Sequence, residues 1–165
     1  MCSSDLDAVN QAIGQGEVQV TPLQVADFVA AIANGGTLYR PQLIEKIQPV
    51  AGDPVAIFKP EARGTLPLNE ANLLALQEAM IMVTQNSRGT ANFNMRGIQF
   101  KVAGKTGTAE SNKESGIPHA WITAFAPFNN PEIAVTVMVE EAGQGSDVAG
   151  PIAREVLKSY FMRTE

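Results

Sequence analysis

The sequence holds one cysteine, Cys2, and one histidine, His119. A single thiol forms no internal disulfide, and a single imidazole builds no Cys/His zinc centre. A cysteine–histidine catalytic pair would have to recruit Cys2 from the end of the chain, where mobility is the rule, and is set aside. Positive charge is scarce too: 12 lysines and arginines stand against 17 acidic residues, for a net charge of -5. No basic stretch is present to neutralise phosphates, which argues against a nucleic-acid partner. The longest plainly apolar run, Ile133 to Val139, falls far short of the ~20 residues a spanning helix needs. A charged start followed by an apolar stretch is also lacking, so no signal peptide and no membrane crossing are expected of these residues.

What is there reads as one globular domain. Hydrophobic residues make up 45% and charged residues 18% of 165, which is wrong for a disordered chain and enough for a real core. The opening "MCSSDLD" shows no apolar period, and residues 1–10 are expected to be a non-native or disordered tail. From Gln11 onward the text is orderly. Thr21 followed by Pro22 starts a helix, a hydroxyl cap and then a proline whose missing N–H costs nothing. Its stripe is Leu23, Ala26, Ala30 and Ala33, widened by Val25, Val29 and Ile32, and Asn34-Gly35-Gly36 ends it. Two extended pieces follow, Tyr39 to Val50 and Pro54 to Phe58, around an Ala51-Gly52-Asp53 turn. Asn69 caps a second helix with Leu73, Leu76, Met80 and Val83 on one face and Leu74 and Ile81 beside them, closed by Ser87-Arg88-Gly89.

The last third reads as sheet. Strands are expected over Ile98 to Ala103, Ala120 to Ala126 and Ile133 to Glu140, the last two joined at Asn129-Asn130-Pro131. Ile133, Val135, Val137 and Val139 share one face of the third strand, and Ala134, Thr136 and Met138 the other. Small or apolar groups on both faces call for helices on both sides. A closing helix is expected from near Val148, with Ile152, Val156 and Tyr160 aligned and Ala153, Leu157 and Phe161 beside them.

Residues 102 to 110, "VAGKTGTAE", carry the chemistry and read two ways. As the end of a phosphate-binding loop, "GKT" needs an earlier glycine where Gln99 stands and a helix starting at the lysine. Strand-like text, "IQFKVA", precedes it and a polar, glycine-broken stretch follows, so that reading fails at both ends. As the end of a strand, "KTGT" offers a fixed cation at Lys105, hydroxyls at Thr106 and Thr108, and at Gly107 a place where a ligand lies against the backbone as an extra strand would. Such a wall suits a peptide-like ligand ending in a carboxylate, with strand N–H groups available to a carbonyl oxygen.

Taken in order, "AIGQGEVQVTPLQVADFVAAIANGGTLYRPQLIEKI", "GTA", "VAGKTGTAE", "HAWITAFAPFNNPEIAVTVMVEE" and "PIAREVLKSYF" resemble the class B penicillin-binding proteins, nearest the elongation or cell-shape type, from about Gln11 to Phe161. K-T-G is one of three signatures of such enzymes, with S-x-x-K and S-D-N. The resemblance implies an α/β (α+β) fold of the penicillin-binding transpeptidase and serine β-lactamase kind, an antiparallel sheet flanked by helices, with residues 11–165 as the C-terminal part of one transpeptidase domain. It implies acyl transfer between peptidoglycan stem peptides ending in D-alanyl-D-alanine, no cofactor and no metal, trapping by β-lactams, cell-wall membrane proteins as partners, and a place on the extracytoplasmic face of the bacterial membrane through an anchor these residues do not include.

Carried over by motif, Lys105 would help hold the ligand carboxylate and the proton network. Thr106 and Thr108 would hydrogen-bond that carboxylate, the Thr108 N–H would be an oxyanion donor, and Gly107 would give the ligand clearance. Trp121 stands either as a wall of the cleft or as a core aromatic, and the sequence leaves both open. His119 is assigned to structure, and Glu17 with its "GQGE" neighbours to turn duty in preference to shaping the far side of the cleft. The nucleophile is missing: no serine of the chain has lysine three places on. Ser3-Ser4-Asp5 copies the middle signature as S-x-D, but it lies too close to "GQGE" for the family's order and is read as coincidence. A chain with this wall and no nucleophile is expected to be inactive alone. A β-lactam sensor or partner-docking module, and less so a serine β-lactamase, are the alternatives; "GQGE", "NGG" and "LYRP" favour the cell-wall enzyme.

Overall fold

The computed structural model describes residues 3–16, 18–111 and 114–162. In chain order these form helix α1 (Ser3–Ala12), helix α2 (Pro22–Ala33), strands β1 (Thr37–Tyr39), β2 (Lys46–Ile47), β3 (Ala56–Ile57) and β4 (Ala62–Thr65), and helices α3 (Glu70–Gln85) and α4 (Asn92–Met95). Strands β5 (Ala103–Ala109), β6 (His119–Ala126) and β7 (Ile133–Val139) follow, and a wide helical turn at Gly145–Ala149 leads into helix α5 (Gly150–Met162).

The centre is an antiparallel sheet in the order β5-β6-β7. Because strand side chains alternate, its two faces bury different sets. Ala120, Ile122, Ala124 and Val135 pack on Ala153 and Leu157 of α5 and Met95 of α4. Ala103 and Phe125 pack on Val25, Val29 and Ile32 of α2 and on Leu73 and Met80 of α3. The helical cover expected on both faces is therefore α5 on one and α2 on the other. Phe125 and Leu157 are fully buried, each removal from water contributing about 1.5–3 kcal/mol. Strands β1 and β4 pair antiparallel, as do β2 and β3, in two small separate sheets.

Local chemistry sets the helix starts. Thr21 Oγ1 accepts from the Gln24 N–H at 3.2 Å while the Gln24 side chain accepts from the Thr21 N–H at 2.8 Å, a reciprocal cap ahead of Pro22. Asn69 Oδ1 accepts from the Asn72 N–H at 2.8 Å and starts α3.

Several expectations need correction. The strand expected over Ile98 to Ala103 begins where that range ends, and the lysine-threonine-glycine run itself is strand. The approach to it bonds elsewhere: the Val102 carbonyl accepts from the Thr84 hydroxyl, and the Lys101 carbonyl accepts from the Phe128 N–H. Phe100 meanwhile packs on Phe161 with ring centroids 4.3 Å apart. In α5 the aligned stripe is the outer one: Ile152, Val156 and Tyr160 are exposed while Ala153 and Leu157 are buried. In α2 Leu23 likewise faces out, and Val25, Val29 and Ile32 carry the packing. In α3 Leu76 and Leu74 are exposed, whereas Thr84, absent from the apolar pattern, is buried. The two long extended pieces shrink to two-residue pairs, and β4 was not foreseen because "ARGT" has no apolar alternation. The opening residues, expected as a tail, are helical over Ser3–Ala12, and the part of that helix whose side chains are described, residues 8–12, is exposed. Leu6, Val9 and Ile13 fall at three and four spacing, a period that the first seven letters alone conceal.

Candidate active site along strand β5

Strand β5 is an edge of the sheet, so alternate residues aim both backbone groups at β6 and the others aim both at the open side. The open side is identified by two contacts. The Thr106 carbonyl accepts from Lys105 Nζ, and the Thr108 carbonyl accepts from the Gln15 carboxamide at 3.1 Å. Thr106 and Thr108 therefore point outward, and the same parity sends the Thr108 N–H to the open edge.

A groove of about 930 Å³ runs along this edge. Residues 105–111, His119 and Trp121 line one wall, and the "IGQG" turn with Val18 and Val20 lines the other. Four sequence-selected residues, Lys105, Thr106, Gly107 and Thr108, stand consecutively on it, with Lys105 and Thr108 exposed and Thr106 half-buried. Lys105 and the threonine side chains leave the strand on opposite faces, as the period of two requires, and meet only around the edge.

Trp121 pairs across the ladder with Gly107. A Cβ at position 107 would lie 3.1 Å from Trp121 Cβ, so the room spared by this glycine is used by the tryptophan as well as by the groove. Trp121 lines the groove and also packs at the margin of the α2-side core. A second glycine works from behind: a Cβ on Gly145 would fall 2.1 Å from the Trp121 carbonyl oxygen and 2.4 Å from that of Gly107. The turn before α5 can press against the β5–β6 backbone only because this side chain is missing.

His119 is half-buried, and its Nδ1 accepts from the Glu141 N–H at 3.0 Å. Glu141 sits at φ 48, a backbone position held in part by that bond. Glu17 and Cys2 lie outside the described residues. Among the described residues no group of three or more His, Cys, Asp or Glu side chains is placed to hold a metal ion, and no helix is long and apolar enough to cross a membrane.

Two side chains at the site were not singled out from sequence. Gln15 lies in the "GQGE" turn, whose value as a far wall was noted without assigning the glutamine. Thr90, inside the quoted "GTA", places its hydroxyl 2.7 Å from that of Thr106.

Comparison with known proteins gives one consistent result. The family described as penicillin binding protein transpeptidase domain matches residues 3–158. Peptidoglycan D,D-transpeptidase MrdA of Haemophilus influenzae is 34% identical over 173 aligned positions, covering 94% of this chain and 26% of the relative. Among solved structures, Pseudomonas aeruginosa PBP2 in complex with WCK 5153 superposes with a TM-score of 0.74 at 36% identity, covering 93% of this chain and 33% of that one. Penicillin-binding protein A from M. tuberculosis, as an imipenem acyl-enzyme complex, gives a TM-score of 0.77 at 31% identity, covering 90% and 32%. The chain spans about a quarter to a third of the length of the relatives it matches.

Proposed function

Because the chain belongs to the penicillin-binding protein transpeptidase family, as a class B penicillin-binding protein, we propose that it supplies the lysine-threonine-glycine wall of a peptidoglycan D,D-transpeptidase of the elongation, or cell-shape, type. The observation that carries this reading is the open edge of β5, where an outward Thr108 N–H, two threonine hydroxyls and a lysine line one groove. A stem peptide ending in D-alanyl-D-alanine docks along that edge as an added strand. Lys105 attracts its terminal carboxylate through space, Thr106 and Thr108 donate hydroxyl protons to it, and Gly107 keeps the backbone approachable. The Thr108 N–H points at the penultimate carbonyl oxygen, where negative charge gathers as the tetrahedral intermediate forms. A serine attacks that carbonyl, the acyl–oxygen bond forms, the peptide bond breaks and D-alanine leaves with a proton; an amine of a neighbouring strand then displaces the serine. β-Lactams occupy the same groove because their carboxylate and strained amide present the same groups in the same order.

The serine and its activating lysine are not among these residues, since no S-x-x-K occurs in the chain. The wall alone therefore binds without reacting. The whole enzyme would work on the extracytoplasmic face of the bacterial membrane, with other cell-wall synthesis proteins as partners. Incubating the 165-residue chain with a fluorescent penicillin and running a denaturing gel should leave no labelled band. A covalent band would overturn the assignment of the nucleophile to another part of the enzyme.

A further inference from the structure

The carboxylate cradle of the preceding section has two hydroxyls on one face of β5, and the structure brings a third to it. Thr90 comes from the turn after α3, 16 residues upstream of Thr106, and the two hydroxyl oxygens are 2.7 Å apart. We propose that Thr90 is a positioning residue for the ligand carboxylate: it donates its hydroxyl proton to Thr106 and so commits the Thr106 proton to the ligand.

The direction follows from the acceptor. A carboxylate has no proton to give, so Thr106 serves it only as a donor. A hydroxyl oxygen that donates one way is free to accept another, and Thr90 is the group within reach to supply that proton. The chain Thr90 to Thr106 to carboxylate is polarised in one sense, which strengthens the terminal bond and holds Thr106 in one rotamer before the ligand arrives. Reversed, with Thr106 donating to Thr90, the proton the carboxylate needs is spent.

The turn that carries Thr90 is built to hold it still. The Gly89 N–H donates to the Asn86 carbonyl at 2.8 Å, and the fully buried Ala91 donates its N–H to the Val83 carbonyl at 3.1 Å. A Cβ at Gly89 would lie 2.3 Å from the Val83 oxygen, so the turn sits directly on the end of α3. Asn92 Nδ2 donates to the Thr84 carbonyl at 2.9 Å, and the Thr84 hydroxyl donates to the Val102 carbonyl one residue before β5. Both threonines of the pair thus hang from the same end of α3. Thr90 itself is exposed, so its hydroxyl is not needed to satisfy a buried group.

The test uses the 165-residue chain with Thr90→Val, Thr90→Ser and no substitution. The first measurement needs no ligand: three-bond couplings from the Thr106 methyl carbon to its backbone nitrogen and carbonyl carbon report its χ1. One staggered rotamer is expected in the unsubstituted chain and in Thr90→Ser, and averaging in Thr90→Val. Unchanged couplings in Thr90→Val overturn the proposal. The second is an NMR titration with N-acetyl-D-alanyl-D-alanine and with its C-terminal amide. Thr90→Val should weaken the acid about tenfold and the amide hardly at all, with Thr90→Ser restoring the preference. Equal weakening of both ligands would mean a structural disturbance and would also overturn it. The inference rests on the proposed function, and the arms separate the two: an unsubstituted chain that does not prefer the acid sinks the carboxylate reading of the groove, while the couplings still decide whether Thr90 orients Thr106.

Discussion

Strands β5 and β7 are the two edges of the same three-stranded sheet, and they treat their outward backbone in opposite ways. On β5 the outward carbonyls of Thr106 and Thr108 are engaged by side chains, Lys105 and Gln15. Its residues are polar or small, with glycines at 104 and 107 and a lysine at 105. On β7 the register puts Val137 opposite Ile122, whose other neighbour is the outward Thr106. Val137 therefore turns its backbone inward, and Ala134, Thr136 and Met138 turn theirs out, with no strand beside them among the described residues. Every side chain of β7 but Thr136 is apolar. An edge with charge and occupied acceptors resists unplanned pairing yet can exchange its occupants for a ligand, whereas a bare apolar edge is a template for any strand that meets it. One edge is dressed as a site; the other has only the features of an interior strand.

The strongest way to break the contrast is to disturb what supports β5 from behind. Gly145→Ala places a methyl within 2.1 Å of the Trp121 carbonyl oxygen and 2.4 Å of that of Gly107. Since both partners are backbone, neither can rotate away, and the ladder between β5 and β6 must shift. A loss of about 3 kcal/mol is expected in urea unfolding, at the upper end for overpacking. The largest amide shift changes should fall on residues 105–109 and 119–123; a change under about 1 kcal/mol would show that the turn before α5 yields and does not set the geometry of the site. At the other edge the effect should appear in solubility rather than folding. Met138→Lys puts a charge on a residue whose backbone faces the open edge, with a long stem that can lie along the sheet face Trp121 shares. Stability should change by about 1 kcal/mol or less, while light scattering at 37 °C should rise several-fold more slowly. Equal scattering rates would mean that β7 is not where copies of the chain meet.

How much of this was readable in the sequence depends on which force fixes each part. Strands β6 and β7 and the capped starts of α2 and α3 were legible because they rest on local signals: alternation in Ile133 to Val139, and a hydroxyl or amide cap at Thr21 and Asn69. The site motif was legible because four consecutive residues of a strand stay together in any fold. What failed were choices between stripes. In α5 and α2 two apolar stripes run side by side, and only the sheet decides that Leu157 rather than Val156, or Val29 rather than Ala30, points at it. The start of β5 was misplaced because Thr84 and Phe128 compete for the carbonyls of Val102 and Lys101, and both partners are remote in sequence. Thr90 and Gln15 were missed for the same reason. A hydroxyl 16 residues away or an amide 93 residues away leaves no periodic trace.

Gln15 gives the smallest expected effect and the sharpest sign. Its carboxamide donates to the Thr108 carbonyl at 3.1 Å from an exposed turn, so Gln15→Ala should change stability by no more than about 0.5 kcal/mol. Its influence on binding has two possible directions, each with its own physical meaning. If Gln15 fills the acceptor that an added peptide strand would use, it competes with the ligand, and removing it tightens N-acetyl-D-alanyl-D-alanine by up to a few-fold, the worth of one solvent-exposed hydrogen bond. If it is instead a wall the ligand rests on, removing it weakens binding. Because Thr108 offers its N–H and its carbonyl on the same open side, a strand that takes the first is in register to take the second. Competition is therefore the expected direction, and an NMR titration in which Gln15→Ala binds more weakly than the unsubstituted chain would show that the turn belongs to the binding surface rather than covering it.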